Sequence, residues 1–372
     1  MSIDASLAVK RYGKELGEYS VKFRNIAAEV DLNPNDIFKH INESAFRTLY
    51  TIRTLDAERF FLLYEALAYG NIGTLFATPR TCLTGILLQF IGNTEQQEYY
   101  FKQLEENKLR SFFATTEIKF GSDASQIETT FEKNGNDILI SGEKILVGNL
   151  GFSQIGAIIG RINKGPLGIC AALIKPEDFE RNSQAVARET LPMFGIRPAM
   201  LGKASFNHFK IPENQLIGQQ IHAGERGLQA LIKTFNIMRL GITGLALGHA
   251  QAVIDYLNSF KKNLSSAEEG ELKSWQQELI AIRQLALKAA RLNASDRLET
   301  SNISLAKVSA SRLAEKASTH AIGLIGPTCL HEHPFLVKSF RDCFGYEYMD
   351  GTTNIQRKNV YQGFANGKLK ID

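Results

Sequence analysis

Asp350 stands directly before a Gly-Thr pair, Asp350-Gly351-Thr352, inside the run Arg341-Asp-Cys-Phe-Gly-Tyr-Glu-Tyr-Met-Asp-Gly-Thr-Thr-Asn-Ile-Gln-Arg357. A carboxylate on a sharp turn has a fixed direction, and the glycine after it lets a ligand come close, so the pattern suits a general base. Asp-Gly is also common turn chemistry, and a solvated turn carboxylate is the alternative. A second polar segment lies far upstream: Thr115-Thr116-Glu117-Ile118-Lys119-Phe120-Gly121-Ser122-Asp123. Its hydroxyls suit ligand contacts, although Thr116-Glu117 would read the same at the end of a strand. His331 and His333 flank Glu332. That i, i+2 spacing with no third ligand close by favours a surface loop, and no metal is expected.

The elements that must position these groups fall into three blocks. Residues 1–110 read as helical: Phe60, Leu63, Ala66 and Leu67 recur at helical spacing, as do Leu83, Ile86, Leu87 and Phe90. Gly92-Asn93 breaks the pattern, and Thr94 followed by Glu95 and Gln97 marks a new helix start. Residues 111–214 carry short β-prone runs between turn residues, at 129–132, 138–142, 155–161, 169–174 and 204–210. Residues 215–372 return to helical period, with long segments over 239–257, 275–294 and 304–324. Gly241, Gly244, Ala246 and Gly248 line the first of these. Glycine inside a helix costs about 1 kcal/mol against alanine, so the run implies close helix packing.

Bulk properties narrow the function classes. A chain of 372 residues with 44% hydrophobic and 22% charged residues has ordinary globular composition and length for two or three structural units. The net charge of +4 is mild. No basic stripe interleaves with aromatics, so no nucleic-acid partner is expected. The first residues lack the basic-then-apolar order of a secretory signal, and no apolar run approaches the roughly 20 residues of a membrane span. Cys82, Cys170, Cys329 and Cys343 show no ligand or framework spacing. Free thiols in a reducing, cytoplasmic setting are the expectation.

Taken in order, several segments resemble the acyl-CoA dehydrogenase family, flavoproteins that oxidise acyl thioesters. They are Gly92-Asn-Thr-Glu-Gln-Gln97, the Thr115–Asp123 segment, Gly142-Glu-Lys144, Leu191-Pro-Met-Phe-Gly-Ile-Arg197, Ile211-Pro-Glu-Asn-Gln-Leu-Ile-Gly218, Arg239-Leu-Gly-Ile-Thr-Gly-Leu-Ala-Leu-Gly248 and the Asp350–Arg357 run. The resemblance spans nearly the whole chain. It implies an α+β fold with a helical N-terminal domain (1–110), a central β-barrel domain (111–214) and a C-terminal four-helix bundle (215–372) that mediates homodimer or homotetramer formation.

It also implies FAD as cofactor and an acyl thioester on CoA or an acyl carrier protein as substrate. In the family a carboxylate removes the α-proton while the β-hydride passes to flavin N5, and hydrogen bonds to the thioester oxygen stabilise the enolate. Asp350 matches the base, which is usually Glu before Gly-Thr. The alternative base position, before Arg239, holds Met238. Phe113, Thr115, Thr116, Ser122, Leu146, Gly148, Thr352 and Asn354 match cofactor-side positions. Ser122, Asn236, Arg239 and Gly351 match substrate-side ones. Arg239 has an alternative as a buried ion-pair partner of Asp342 or Glu347, and Gln356 as a helix cap.

The departures from the pattern carry information too. Aspartate is one methylene shorter than glutamate, so its oxygens retreat by about 1.5 Å, a displacement that can cost about 100-fold in rate unless the substrate fits the site. Leu146-Val147-Gly148 stands where Trp-Ile-Thr is usual, leaving a roomier, less polar flavin edge. Asn236 replaces an acid often directed at CoA. The Arg of an Arg-Lys-x-Phe-Gly segment, which grips the FAD pyrophosphate of a neighbouring subunit, is missing from 263–270, and Gly323-Leu-Ile-Gly326-Pro327 replaces a Gln-x-x-Gly-Gly stretch. Losing that charge-assisted contact removes about 1.5–3 kcal/mol. These changes favour a small or polar acyl group, including hydroxyacyl or aminoacyl groups that carrier-protein-linked relatives oxidise to make polyketide extender units. A flavin monooxygenase on the same fold and a non-catalytic, flavin-poor paralogue are the alternatives.

Overall fold

The computed structural model describes residues 4–121, 123–260 and 264–369. Before the first strand, the chain forms helices α1 (Ala5–Tyr12), α2 (Lys14–Asn25), α3 (Ala27–Leu32), α4 (Ser44–Thr51), α5 (Ala57–Gly70), α6 (Ile72–Ala77), α7 (Leu83–Ile91) and α8 (Thr94–Glu105). Local chemistry sets their starts. Asp56 accepts from the Glu58 and Arg59 amides to open α5. Helix α8 starts at Thr94, as expected, and its cap is Asn93. Its side chain accepts from the Gln96 amide at 2.8 Å, and the Gln96 side chain returns to the Asn93 amide.

Eight strands follow: β1 (Ser111–Ala114), β2 (Thr130–Asn134), β3 (Asp137–Gly148), β4 (Ile155–Arg161), β5 (Ile169–Ile174), β6 (Val186–Thr190), β7 (Leu201–Pro212) and β8 (Leu216–Ile217), with helix α9 (Pro176–Arg181) between β5 and β6. They form one sheet in the order β6-β7-β3-β2-β4-β5-β8, with β1 parallel to β4. The sheet curls around a core of its own that includes Phe112, Phe131, Ile140, Ile158, Ala172, Phe206 and Phe209. Strands β4 and β5 are buried on both faces. Ile155, Ala157 and Ile159 of β4, with Ile169, Ala171 and Leu173 of β5, join the helical core, while Ile158, Cys170 and Ala172 point into the β core. A strand buried on both faces reads as a continuous apolar run, as Ile155–Arg161 does.

A π-turn at Glu225–Gln229 leads into α10 (Ala230–Phe260). Then come α11 (Ser266–Ser295), α12 (Ser301–Ile325), α13 (Cys329–Glu332), α14 (Pro334–Cys343), α15 (Gly345–Tyr348) and α16 (Thr353–Ala365). Helix α10 packs on α5, α11 and α12, and α16 closes over α12. The glycines make the α5 contact possible: a Cβ at Gly248 would lie 2.0 Å from the Glu65 carbonyl oxygen, and one at Gly244 2.4 Å from that of Phe61. The segment Glu225–Ser259 is long and apolar enough to cross a membrane, contrary to the reading of the sequence by runs, but 94% of its most apolar stretch is buried within the protein. It is a core helix.

Candidate active site

Asp350 lies in the turn between α15 and α16 with φ +51, followed by Gly351 at φ +100. Aspartate tolerates this left-handed region better than most residues, but a pair of such residues needs support from outside. Three helices supply it. The Asp350 carbonyl accepts from Arg239 Nε of α10 at 3.0 Å and from Gln356 Nε2 of α16 at 3.2 Å. The Gly351 carbonyl accepts from Lys307 Nζ of α12 at 3.1 Å and from the same Gln356 amide at 3.2 Å. Gln356 is itself oriented by Ser304, whose Oγ donates to its Oε1 at 2.7 Å. Glu347 accepts from the Thr353 amide and hydroxyl, which ties the turn to the start of α16.

Every one of these contacts to Asp350 and Gly351 falls on backbone. Among the described residues none is made to the Asp350 carboxylate, so the turn is held while the acid stays available. Burial pushes that carboxyl up to about 6, with Arg239, Lys307 and Arg80 pulling it back down. Burial equally lowers Arg239 to about 10 and Lys307 to about 8, opposed by the charge of Asp350 and, for Lys307, of Glu347 too. A carboxylate titrating near neutrality is matched to proton removal at physiological pH.

The same shift has a stability consequence. Unfolded, the aspartate releases its proton near 3.8; folded, near 6. Between those values the native state holds the extra proton, so the protein loses stability as pH rises through that window and does not regain it above. Asp350→Asn, which removes the buried charge, is expected to melt higher than wild type at about pH 7 and to match it at about pH 4. Thermal melts at the two pH values check this.

The upstream segment is fixed by different means. Thr115 follows β1, and its carbonyl accepts from Lys144 Nζ at 3.1 Å. Lys144 also pairs with Glu117 at 2.7 Å, and both side chains are buried. Glu117 in turn accepts from the amides of Glu128 and Thr129 and from the Thr129 hydroxyl. Burial pushes Glu117 up, but Lys144 and these hydrogen bonds outweigh it and hold the acid below its usual value. Burial takes Lys144 down to about 8. The Ile145 amide donates to the Thr116 carbonyl at 3.0 Å, which sets the 115–117 backbone against the end of β3. Glu117 is therefore structural, as its sequence context suggests.

Two aromatic rings join the segments. Phe113 meets Phe235 of α10 edge-on at 5.9 Å, and the Arg239 guanidinium sits 5.5 Å from the Phe235 ring centroid. Arg239 then grips the Asp350 carbonyl. Phe113, Arg239, Asp350 and Gly351 thus belong to one assembly, and Thr115, Thr116, Leu146 and Gly148 sit at its β-sheet edge. Thr352 is half-buried, and its side chain makes no capping bond at the start of α16. Asn354 is exposed on the first turn of that helix. Ser122 lies outside the described residues.

Several expectations change. Asn236 is fully buried, and its Nδ2 donates to the carbonyls of Arg297 and Glu299 while its Oδ1 accepts from Arg239 Nη1 at 3.3 Å. It positions Arg239 and has no surface for a substrate. Arg239 pairs with neither alternative acid. Asp342 is taken by Lys338 and the Ile196 amide, and Glu347 by Thr353. Gln356 clamps the Asp350 turn instead of capping a helix end. His333 is buried and bonded to the Tyr256 hydroxyl at 2.8 Å, so it is no surface-loop residue. Lys307 and Arg80, both missed from the sequence, act on the Asp350 charge. Lys307 is the one cation in the first ten residues of α12, Ser301–Ala310, one helical turn from Ser304, and that pattern was a readable signal.

The fit to a flavin can be judged from groups left open. Thr115 Oγ1 is buried without a hydrogen-bond partner, which is the condition of a hydroxyl waiting for a ligand. A Cβ at Gly148 would meet only the Ala199 carbonyl oxygen, at 3.5 Å. Leu146, at φ +58 beside a bulge in β3, is 56% exposed and covers little. The ring edge therefore fits. The dinucleotide end differs: Ser265 and Glu268 form a capping box for α11, and Gly326 at φ +85 ends α12, so both segments serve helix termini. Asn263 lies outside the described residues. A cavity of about 690 Å³ between α11, α12 and α16, lined by Glu278, Arg312, Lys316 and Arg357, contains none of the residues of the Asp350 site.

Residues 225–364 match the family model described as acyl-CoA dehydrogenase, C-terminal domain. Over 302 residues the chain is 28% identical to the Bacillus subtilis protein named "Probable acyl-CoA dehydrogenase YngJ", covering 78% of this chain and 77% of that one. The short-chain specific acyl-CoA dehydrogenase of Clostridium acetobutylicum is 24% identical over 370 residues, 94% of this chain and 95% of its own. Among solved structures, butyryl-CoA dehydrogenase from Megasphaera elsdenii superposes with a TM-score of 0.81 at 20% identity, covering 98% and 100% of the two chains. That likeness shows the fold.

Proposed function

The chain belongs to the acyl-CoA dehydrogenase family, and from that premise we propose that it oxidises a small or polar acyl thioester with Asp350 as the base. It is an FAD-dependent oxidoreductase of acyl thioesters. The observation that carries the finer reading is the Asp350 turn, clamped entirely through backbone, with a free carboxylate raised to about 6.

FAD, when bound, supplies the hydride acceptor. Asp350 takes the proton from the α-carbon, the β-hydrogen leaves as hydride with its bonding pair, and the electrons of the broken α C–H bond form the α,β double bond. With a hydroxyacyl or aminoacyl group the proton leaves oxygen or nitrogen and the hydride leaves the attached carbon, giving a carbonyl or imine. The short Asp350 side chain and the uncovered edge at Leu146 and Gly148 support a reacting group other than a plain acyl chain. Asn236 no longer bears on the carrier, so CoA and an acyl carrier protein both fit. Retention of a base speaks against oxygenation. The reading also holds the protein to be cytoplasmic and a homo-oligomer; the exposed Tyr361 and Phe364 of α16 support the second of these.

The test is to present FAD-loaded protein, without oxygen, with plain, hydroxy and amino acyl groups on CoA and on a carrier protein. Bleaching of the visible flavin band by a polar acyl group is the expected result. Good turnover of plain acyl-CoA with none of any polar group on either carrier would remove the finer reading.

A further inference from the structure

The segment 263–270 offers no arginine to the phosphates of FAD, whereas the cavity of about 690 Å³ between α11, α12 and α16 is lined by arginines without a partner. Its lining on α12 runs from Leu305 to His320 along one face, a groove of about 22 Å at a rise of 1.5 Å per residue. The near end adjoins the clamp on the Asp350 turn: Leu305 follows Ser304, and Arg357 follows Gln356. Arg357 also lies one helical turn beyond Asn354, and both are exposed. The groove therefore starts beside the Asp350 turn and leads away from it.

Three cations, Arg312, Lys316 and Arg357, face two acids there, Glu278 and Glu315. Lys316 is spent on Glu278 at 2.9 Å. Among the described residues the side chains of Arg312 and Arg357 make no ion pair or hydrogen bond, although Glu315 stands one turn from Arg312. Each guanidinium keeps all its N–H donors, in the planar fork that matches a phosphate. The far end differs in kind. His320 lines it, and the Trp275 ring lies 5.8 Å from the His320 ring between centroids. Trp275 is fully buried, and its Nε1 has no hydrogen-bond partner. A buried indole N–H normally finds an acceptor. A ligand with phosphates at one end and a heteroaromatic base at the other would satisfy both ends, and the volume is that of an ordinary small-molecule site.

We propose that this groove binds an adenosine diphosphate group, with Arg312 and Arg357 on the phosphates and the base at the His320 end. FAD carries such a group, and so does CoA. Continuity with the Asp350 turn favours FAD, so that arginines of α12 and α16 take over from the cation missing at 263–270. The inference rests on the FAD-dependent reading above and adds the residues that grip the dinucleotide end.

The test titrates FAD, riboflavin and ADP into wild type, R312M, R357M and the double variant, with thermal melts to keep a folding loss apart from a binding loss. Riboflavin shares the ring and lacks both phosphates and the adenosine. The double variant is expected to weaken FAD binding about 10–100-fold and to leave riboflavin binding unchanged. R312K should restore part of the difference, and ADP should compete with FAD on wild type. Adding ADP or CoA to FAD-loaded protein separates the sources. Binding there that depends on the two arginines assigns the groove to a second nucleotide, and its absence assigns the groove to FAD. Equal losses of FAD and riboflavin, or unchanged binding of FAD, ADP and CoA in the double variant, would overturn the proposal. A changed oligomeric mass with unchanged nucleotide binding would overturn it too and give the groove to a second copy of the chain. FAD bound no tighter than riboflavin by wild type would sink this inference alone. Failure of wild type to bind either flavin would sink the FAD-dependent reading and this inference with it.

Discussion

Asp350→Asn is expected to lower kcat by about 100- to 10,000-fold, the usual contribution of a positioned general base, while FAD stays bound. The backbone contacts explain why the loss should be clean. Arg239, Lys307 and Gln356 hold the carbonyls of Asp350 and Gly351, so replacing the side chain leaves the turn in place. Asp350→Glu is the sharper variant. It advances the carboxylate by about 1.5 Å from the same clamped backbone, so it should improve oxidation of a plain acyl-CoA and impair oxidation of the polar substrate. Steady-state kinetics on both substrates measures this. A longer side chain that improves both would mean that Asp350 is a weakened version of the usual base and not a fitted one.

Glu117→Ala is expected to destabilise the protein by about 3–5 kcal/mol, the cost of leaving one buried charge without its partner. Lys144 is buried beside Glu117 and donates to both Glu117 and the Thr115 carbonyl. Without the acid, that lysine must lose its proton or draw in water, which loosens its hold on the Thr115 carbonyl, while the Ile145 amide still holds that of Thr116. Urea unfolding should therefore show a lower midpoint, and FAD should bind more weakly in the same variant. Replacing both partners with apolar residues of similar size, Glu117→Leu with Lys144→Met, should recover much of the stability because no charge is stranded. It should not recover FAD affinity, since Lys144→Met removes the bond to the Thr115 carbonyl altogether.

The order of blocks, helices then strands then helices, is legible because each has its own period. The 3.6-residue repeat marks α5, α7 and α10, and short apolar runs seeded with isoleucine mark β4 and β5. The strands β1, β6 and β8 escape that reading for a physical reason. Ser111–Ala114 and Leu216–Ile217 are too short to show a period, and Val186–Thr190 is an edge strand, its residues exposed or half-buried, paired only with β7. The site divides the same way. Asp350 and Arg239 stand in matched segments and are visible as a pair of motifs. The clamp on Asp350 is not, since Lys307 and Gln356 act on backbone carbonyls through long-range packing. Asn236 shows the limit most plainly: a polar side chain at a ligand-facing position of the pattern has turned inward to orient Arg239.

The missing pyrophosphate cation and the open ring edge make flavin affinity the quantity on which the whole account depends. The most direct test titrates purified protein with FAD, followed by its visible spectrum, and then adds a polar acyl thioester without oxygen to wild type and to Asp350→Asn. The expected result is one FAD per chain, bleaching of the band in wild type, and binding without bleaching in the variant. Failure to take up FAD at any concentration, or equal bleaching in the two proteins, would contradict it.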